Sequence, residues 1–206
     1  MLSEKYLKLL IGTHNVGKAI EISHVLEDLK LTFLTLRDIK VTQPVPESGR
    51  TYEENAILKA EGYARQSGLL TLADDSGLEV DALNGAPGVF SARYSGPAAS
   101  DRDRIDLLLA QLERNPRSKR TARFVSVVAL ASPDAGVIKT EYGTCEGTII
   151  DSPRGTNGFG YDPIFVPEGF NVTFAELPST TKDVISHRGR ALHAIKQFMM
   201  QLITQT

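Results

Sequence analysis

Residues 69–72, an apolar run broken only by Thr71, lead straight into Ala73, two adjacent aspartates, Asp74 and Asp75, and then Ser76 and Gly77. This pair constrains the fold strongly, because an ionised carboxylate loses hydration at the edge of a core. It needs a cation, a metal or several donors facing it. Read as a strand over 69–74, the run sends successive side chains to opposite faces, so Asp74 and Asp75 meet different neighbours. The carboxyl end of a strand beside a glycine turn is also where open α/β sheets collect ligands. A polar turn, with aspartate oxygens bonding the backbone at Ser76 and Gly77, fits the same residues.

The flanking sequence predicts an α/β protein. An apolar run over 7–11 ends at Gly12, and 18–29 then repeats apolar residues at Ile22, Val25, Leu26 and Leu29, which is a strand, a loop and a helix. A second strand is expected over 31–36, and a loop over 43–49, where Pro44 and Pro46 stand. Thr51 and Glu54 form a capping-box pattern ahead of Ala56, Ala60, Tyr63 and Ala64, so a helix begins near Tyr52. Ser100 and Asp103 start another, with the stripe Ile105, Leu108, Leu109 and Leu112. Residues 124–131 and 137–142 read as a hairpin, 145–150 as a further strand, and the chain from about Gly189 as a last helix. No repeat or linker interrupts the chain, and a length of 206 residues suits one core or two lobes sharing a sheet.

Composition excludes several classes. A formal net charge of -2 gives no footprint for bulk nucleic-acid binding. The single cysteine, Cys145, excludes an internal disulfide and a cysteine-rich zinc site, and is expected as a buried strand residue. No apolar run approaches the roughly 18 residues that span a bilayer, and the N-terminus lacks signal-peptide character, so no membrane partner and a cytoplasmic location are expected.

Other polar clusters lie far from the aspartates in sequence. Residues 12–18 join the first strand to the first helix with Gly12, Thr13, Asn15, Gly17 and Lys18. Free backbone N–H groups and an ammonium there suit a phosphate. The loop is not a Walker A motif, because Ala19 stands where Ser or Thr is required. Asn15 also fits a plain N-cap, and Glu54 is explained by capping alone. Lys59 fits a solvated helix lysine as well as a ligand. Glycines 155, 158 and 160 surround Phe159, whose ring is either a stacking surface for a flat heterocycle or an anchor for its own loop. His187 and Arg188 at the start of the last helix suit an oxygen-rich or anionic partner. The basic cluster Arg114, Arg117, Lys119, Arg120 and Arg123, around Asn115 and Pro116, reads as a solvated loop. Lys18, Lys59, Lys182 and Arg188 together can face a polyphosphate, and Glu47, Asp74 and Asp75 can hold a divalent ion. Magnesium is the metal that oxygen ligands and phosphates imply.

Five blocks carry a resemblance: 13–18 (THNVGK), 52–60 (YEENAILKA), 73–96 (ADDSGLEVDALNGAPGVFSARYSG), 158–165 (GFGYDPIF) and 186–191 (SHRGRA). They resemble the signature blocks of the Ham1, or inosine triphosphate pyrophosphatase, family, in that family's order. The resemblance implies a single domain over 1–206 with no linker, an elongated mixed β-sheet flanked by helices, and two lobes with the active site in the cleft between them. It implies a magnesium-dependent homodimeric hydrolase that converts the non-canonical triphosphates ITP, dITP and XTP to monophosphate and pyrophosphate, keeping them out of DNA and RNA. Thr13, His14, Asn15, Val16, Gly17, Lys18, Lys59 and Ser76 would bind substrate. Asp75 would hold magnesium and accept a proton, Glu47 would hold the ion too, and Asp74 would either support it or orient a lysine. Phe159, Gly160, Tyr161 and Asp162 would receive base and sugar, with Lys182, His187 and Arg188 completing the pocket.

The expected reaction is attack of water on the α-phosphorus, with Asp75 as base. A donor at the purine 6-position, from His187 or Arg188, would donate to a keto oxygen and reject adenine. A pyrophosphatase of pyrimidine nucleotides and a nucleotide sensor without turnover are the rival readings.

Overall fold

A computed structural model describes residues 8–39, 43–114 and 119–204. Its six-stranded sheet has the order β2-β1-β3-β4-β5-β6, with β1 Lys8–Ile11, β2 Thr32–Thr35, β3 Leu70–Val80, β4 Thr121–Ser132, β5 Gly136–Ile149 and β6 Phe165–Pro167. The sheet is mixed: β1 pairs in parallel with both β2 and β3, and β5 pairs antiparallel with β6. Helices α1 Val16–Val25, α2 Tyr52–Ser67, α3 Asp101–Glu113, α4 Ser179–Ile185 and α5 His187–Thr204 complete it, with short 3-10 turns. Among the described residues no helix is long and apolar enough to cross a membrane.

Local signals account for the helix starts. Thr51 accepts from Glu54 N and Glu54 reaches back to Thr51 N, and Ser100 and Asp103 repeat the arrangement. Asn15 caps α1 by accepting from Lys18 N at 3.1 Å, so the helix begins two residues earlier than its apolar stripe suggests. The proline-containing segment 43–49 carries no regular structure, as expected.

The chain divides into two compact units, with boundaries inside β3, β4 and β5. The described residues of the first fall in 8–75, 126–143 and 188–204. Its core packs Leu9, Ile11 and Leu72 with Ile22 and Leu26, and with Leu192 and Ile195 of α5. The second covers 76–125 and 144–187. There Leu78 and Val80 join the α3 stripe and an aromatic group in which Phe124 lies 4.7 Å from Phe165 and stacks on His187 at 4.6 Å.

Four expectations need correction. First, β3 does not stop before Gly77; it continues to Val80, so the aspartates lie in mid-strand and the polar-turn reading is wrong. Cations and an amide from other segments meet these carboxylates, which removes the reason to end the strand, and Leu78 and Val80 bury fully. Second, 136–149 is one strand, not two. Gly147 is needed where β6 crosses close by, since a Cβ there would lie 2.4 Å from the Val166 carbonyl oxygen. Third, Arg123 is not in a solvated loop but on β4, where it pairs with Glu79, Asp81 and Glu146. Arg120 pairs with Asp151; Asn115, Pro116 and Arg117 lie outside the described residues, as does Leu7. Fourth, α4 and β6 were not anticipated, whereas α5 starts at His187 as the placing of His187 and Arg188 implies. Cys145 is buried on β5 as expected.

Candidate active site

The first unit gathers its functional side chains around Asp74 and Asp75. Helix α2 brings Lys59, which is 6% exposed rather than solvated. Its Nζ lies 2.9 Å from Asp75 Oδ1 and 3.1 Å from Glu47 Oε1, so one ammonium joins two carboxylates. Asn55, one turn earlier on α2, donates to Asp75 Oδ2 at 3.2 Å and accepts from Gly49 N at 2.8 Å. That buried amide fastens the Glu47-bearing loop and Asp75 to the same helix. Asn55 stands inside a quoted block but was not singled out. An Asn within a helix, where its side chain competes with the backbone, is the signal that marks it.

On the other face of β3, Asp74 is fully buried. Its Oδ2 meets Lys18 Nζ at 3.2 Å and Arg188 Nε at 3.1 Å, while Arg188 Nη1 donates to Glu21. Glu21, a second functional residue not anticipated, stands three residues after Lys18 on α1. Asp74 thus pairs with both a lysine and an arginine. The loop ahead of α1 is folded by its own side chains: Thr13 Oγ1 accepts from Asn15 N at 3.1 Å. His14 is exposed, with its ring edge-on to Tyr63. A cavity of about 340 Å³ opens here, bounded by Thr13, His14 and Val16 on one side and Thr35, Leu36 and Arg37 on another. Gly17 lies in the first turn of α1.

The charges shift one another. Burial pushes the Asp75 carboxyl above its ordinary value, helped by Glu47 and opposed by Lys59 and Lys18. Burial works the same way on Asp74, but Lys18, Arg188 and Lys59 outweigh it and hold that carboxyl well below the usual range. The two neighbours are therefore shifted in opposite directions. Burial lowers Lys18, and Lys59 and Arg188 add to this against Asp74. Burial also opposes the charge on Lys59, yet Asp75, Asp74 and Glu47 together raise it.

In the second unit the glycine-rich loop is organised by Asp162, which accepts from Phe159 N at 3.0 Å and from Lys182 Nζ of α4. Gly158 has φ +75°, and a Cβ there would lie 2.0 Å from Asp162 Oδ2, so no other residue fits. Phe159, read from sequence as either a stacking surface or a loop anchor, is half-buried with Lys182 Nζ 5.0 Å from its ring centre. Gly160 N donates to Asp101 Oδ2 at 2.7 Å. Tyr161 turns inward: it is buried, its hydroxyl donates to Ser91 O at 3.0 Å, and burial raises its phenol far above the usual value. His187 is buried against Phe124, and Ser76 follows Asp75 on β3 half-buried.

Each unit therefore supplies part of the expected set. Thr13, Asn15, Lys18, Glu47, Lys59, Asp74, Asp75 and Arg188 belong to the first, and Ser76, Phe159, Gly160, Tyr161, Asp162, Lys182 and His187 to the second. Among the described residues no three His, Cys, Asp or Glu side chains converge on one point as a ready metal cage.

Comparison with known proteins agrees with the sequence blocks. The Ham1 family model matches residues 9–198. The dITP/XTP pyrophosphatase of Geobacter sulfurreducens is 50% identical, with 93% of this chain and 96% of that protein covered. The protein of the same name from Bacillus cereus is 46% identical over 94% of this chain and 95% of its own length. Among solved structures, a HAM1 protein from Coxiella burnetii superposes with a TM-score of 0.85 at 42% identity, covering 94% of this chain and 98% of that one. The Staphylococcus aureus Ham1 protein gives a TM-score of 0.82 at 39% identity with the same coverage. This chain belongs to the Ham1 family.

Proposed function

We propose that this protein hydrolyses non-canonical purine nucleoside triphosphates, with ITP, dITP and XTP as substrates, to the monophosphate and pyrophosphate. The observation that carries this reading is the buried ammonium of Lys59 held by Asp75 and Glu47, beside a second cation, Lys18, held by Asp74. The names of the similar proteins from Geobacter sulfurreducens and Bacillus cereus support the substrate class.

Magnesium is the proposed cofactor. Glu47 and Asp75 are hard oxygen donors already sharing one cation, and they provide two ligands rather than a full cage. That suits magnesium, which keeps waters and takes substrate phosphates as its remaining ligands. When bound, the ion would lower the pKa of a water and neutralise phosphate charge. Asp75, with its raised pKa, accepts a proton from the attacking water. Asn55 fixes the orientation of that carboxylate. Lys18 and Lys59 stabilise charge on the phosphates and the leaving pyrophosphate. The N–H groups of Val16 and Gly17 at the start of α1 bind phosphate oxygens, since those of Thr13, Asn15 and Lys18 already bond within the protein.

Phe159, with the backbone of 158–162, takes the base and sugar. The donor to the purine 6-oxygen comes from His187 or from an N–H of Arg188 other than the Nε and Nη1 donors that serve Asp74 and Glu21. An adenine amino group at that position would leave two donors facing each other. We further propose a cytoplasmic homodimer. The test is pyrophosphate release from dITP, XTP, dATP and dGTP side by side with magnesium. Turnover of dITP and XTP well above dATP is expected, together with loss of at least about 100-fold in Asp75→Asn. Undiminished turnover in that variant would overturn the assignment of the base.

A further inference from the structure

Glu21 stands in a chain of four buried or nearly buried charges. Its carboxylate accepts from Arg188 Nη1; Arg188 Nε donates to Asp74 Oδ2 at 3.1 Å; and Lys18 Nζ meets that same oxygen at 3.2 Å. The signs alternate and sum to zero. Side-chain exposure is 15% for Glu21, 2% for Arg188, 0% for Asp74 and 14% for Lys18, so water screens these charges little. Lys18 and Glu21 lie three residues apart in α1 and therefore share a helix face.

Two cations converge on Asp74 Oδ2, while Oδ1 has no hydrogen-bond partner among the described residues. That arrangement is open to collapse. A guanidinium beside a carboxylate favours two parallel bonds, one to each oxygen. Glu21 opposes this by holding Nη1 and taking part of the Arg188 charge. Without it, more of the guanidinium charge falls to Asp74, and the fork can move onto both oxygens at the expense of Lys18.

We propose that Glu21 is a positioning residue for the triphosphate: by anchoring Arg188, it keeps Asp74 available to hold Lys18 at the start of α1. This rests on the reading of Lys18 as a phosphate ligand. Glu21 acts through two intermediaries, so its removal weakens ground-state binding more than the chemical step.

Glu21→Gln, which preserves shape, is measured with Glu21→Asp, Lys18→Met and the Glu21→Gln/Lys18→Met pair. For dITP the expected result in Glu21→Gln is a KM raised about tenfold with kcat within about twofold, as for loss of a uniformly binding contact. Glu21→Asp recovers most of the KM. In the Lys18→Met background Glu21→Gln adds no further penalty, since both changes act on one contact. Full multiplication of the two penalties, or a lowered melting temperature with KM unmoved, would overturn the proposal. Absence of pyrophosphate release by the wild type overturns the functional reading instead. The crystal structure of Glu21→Gln then still decides: separation of Lys18 Nζ from Asp74 beyond about 4 Å, the limit of an ion pair, is expected. Retention of the 3.2 Å contact would overturn the proposal.

Discussion

Lys59 Nζ stands 2.9 Å from Asp75 Oδ1, and both side chains are 8% exposed. Burial alone would favour the protonated carboxyl, and the ammonium limits that shift. Lys59 therefore helps to keep the proposed base ionised as well as serving the phosphates. In Lys59→Met the Asp75 pKa rises further, so the acid limb of the pH–kcat/KM profile for pyrophosphate release moves to higher pH. The profile is recorded on wild type and variant with the same triphosphate. An acid limb that stays in place would mean that Lys59 does not govern the base.

Asp74 carries a linkage prediction. Its carboxyl lies below the ordinary range in the folded protein because Lys18, Arg188 and Lys59 outweigh burial. A depressed carboxyl contributes stability that is fully present above the unfolded-state value of about 3.9 and is lost as pH falls through the folded value. Asp74→Asn leaves two buried cations short of a partner, which costs about 3–5 kcal/mol near pH 7. The gap to wild type closes progressively as pH falls from about 4 toward the folded value, because the unfolded chain takes up its proton on Asp74 first. Urea unfolding at a series of pH values checks this. A gap that stays constant into strong acid would show that the ion pairs are not its source.

Helix starts were legible because they depend on residues three apart: Thr51 with Glu54, Ser100 with Asp103, and Asn15 with the backbone of Lys18. The need for cations beside Asp74 and Asp75 was legible from the cost of burying charge. Which cation serves which carboxylate was not, because Asp74 and Arg188 are 114 residues apart. The strand length of β3 was misread for the same reason: Gly77 ends a strand only if nothing pairs and packs beyond it, and Leu78 and Val80 pack in the second unit. Glu21 carries no local signal, because its partner Arg188 lies 167 residues away. Tyr161 could not be told from Phe159 by spacing, since neighbours in a glycine-rich loop follow no fixed period.

That contrast in the 158–162 loop is testable. Phe159 carries Lys182 over its ring, whereas Tyr161 is buried with its hydroxyl on Ser91 O. Tyr161→Phe leaves that carbonyl short of a donor and costs about 1 kcal/mol of stability. In a chain of this size it lowers the melting temperature by about 2–4 °C, with KM for dITP within about twofold of wild type. Phe159→Ala instead raises KM about tenfold, as expected for loss of a base-stacking surface worth about 1–3 kcal/mol. Calorimetry and steady-state kinetics on both variants separate the roles. A reversal, with Tyr161→Phe damaging KM and Phe159→Ala only stability, would exchange them.

Metal removal should divide activity from stability. Glu47 and Asp75 share Lys59 as their cation, and no group of three metal-ligating side chains converges among the described residues. An ion that relies on substrate phosphates for its remaining ligands binds the free protein weakly, and weak binding adds little stability at ordinary concentrations. Treatment with a chelator is therefore expected to abolish pyrophosphate release while shifting the melting temperature of the nucleotide-free protein by less than about 1 °C. With a slowly hydrolysed triphosphate analogue present, added magnesium should raise the melting temperature by several degrees, because ion and nucleotide then bind as one unit. A large magnesium-dependent rise without nucleotide would indicate a preformed cage and require a further carboxylate ligand beyond Glu47 and Asp75.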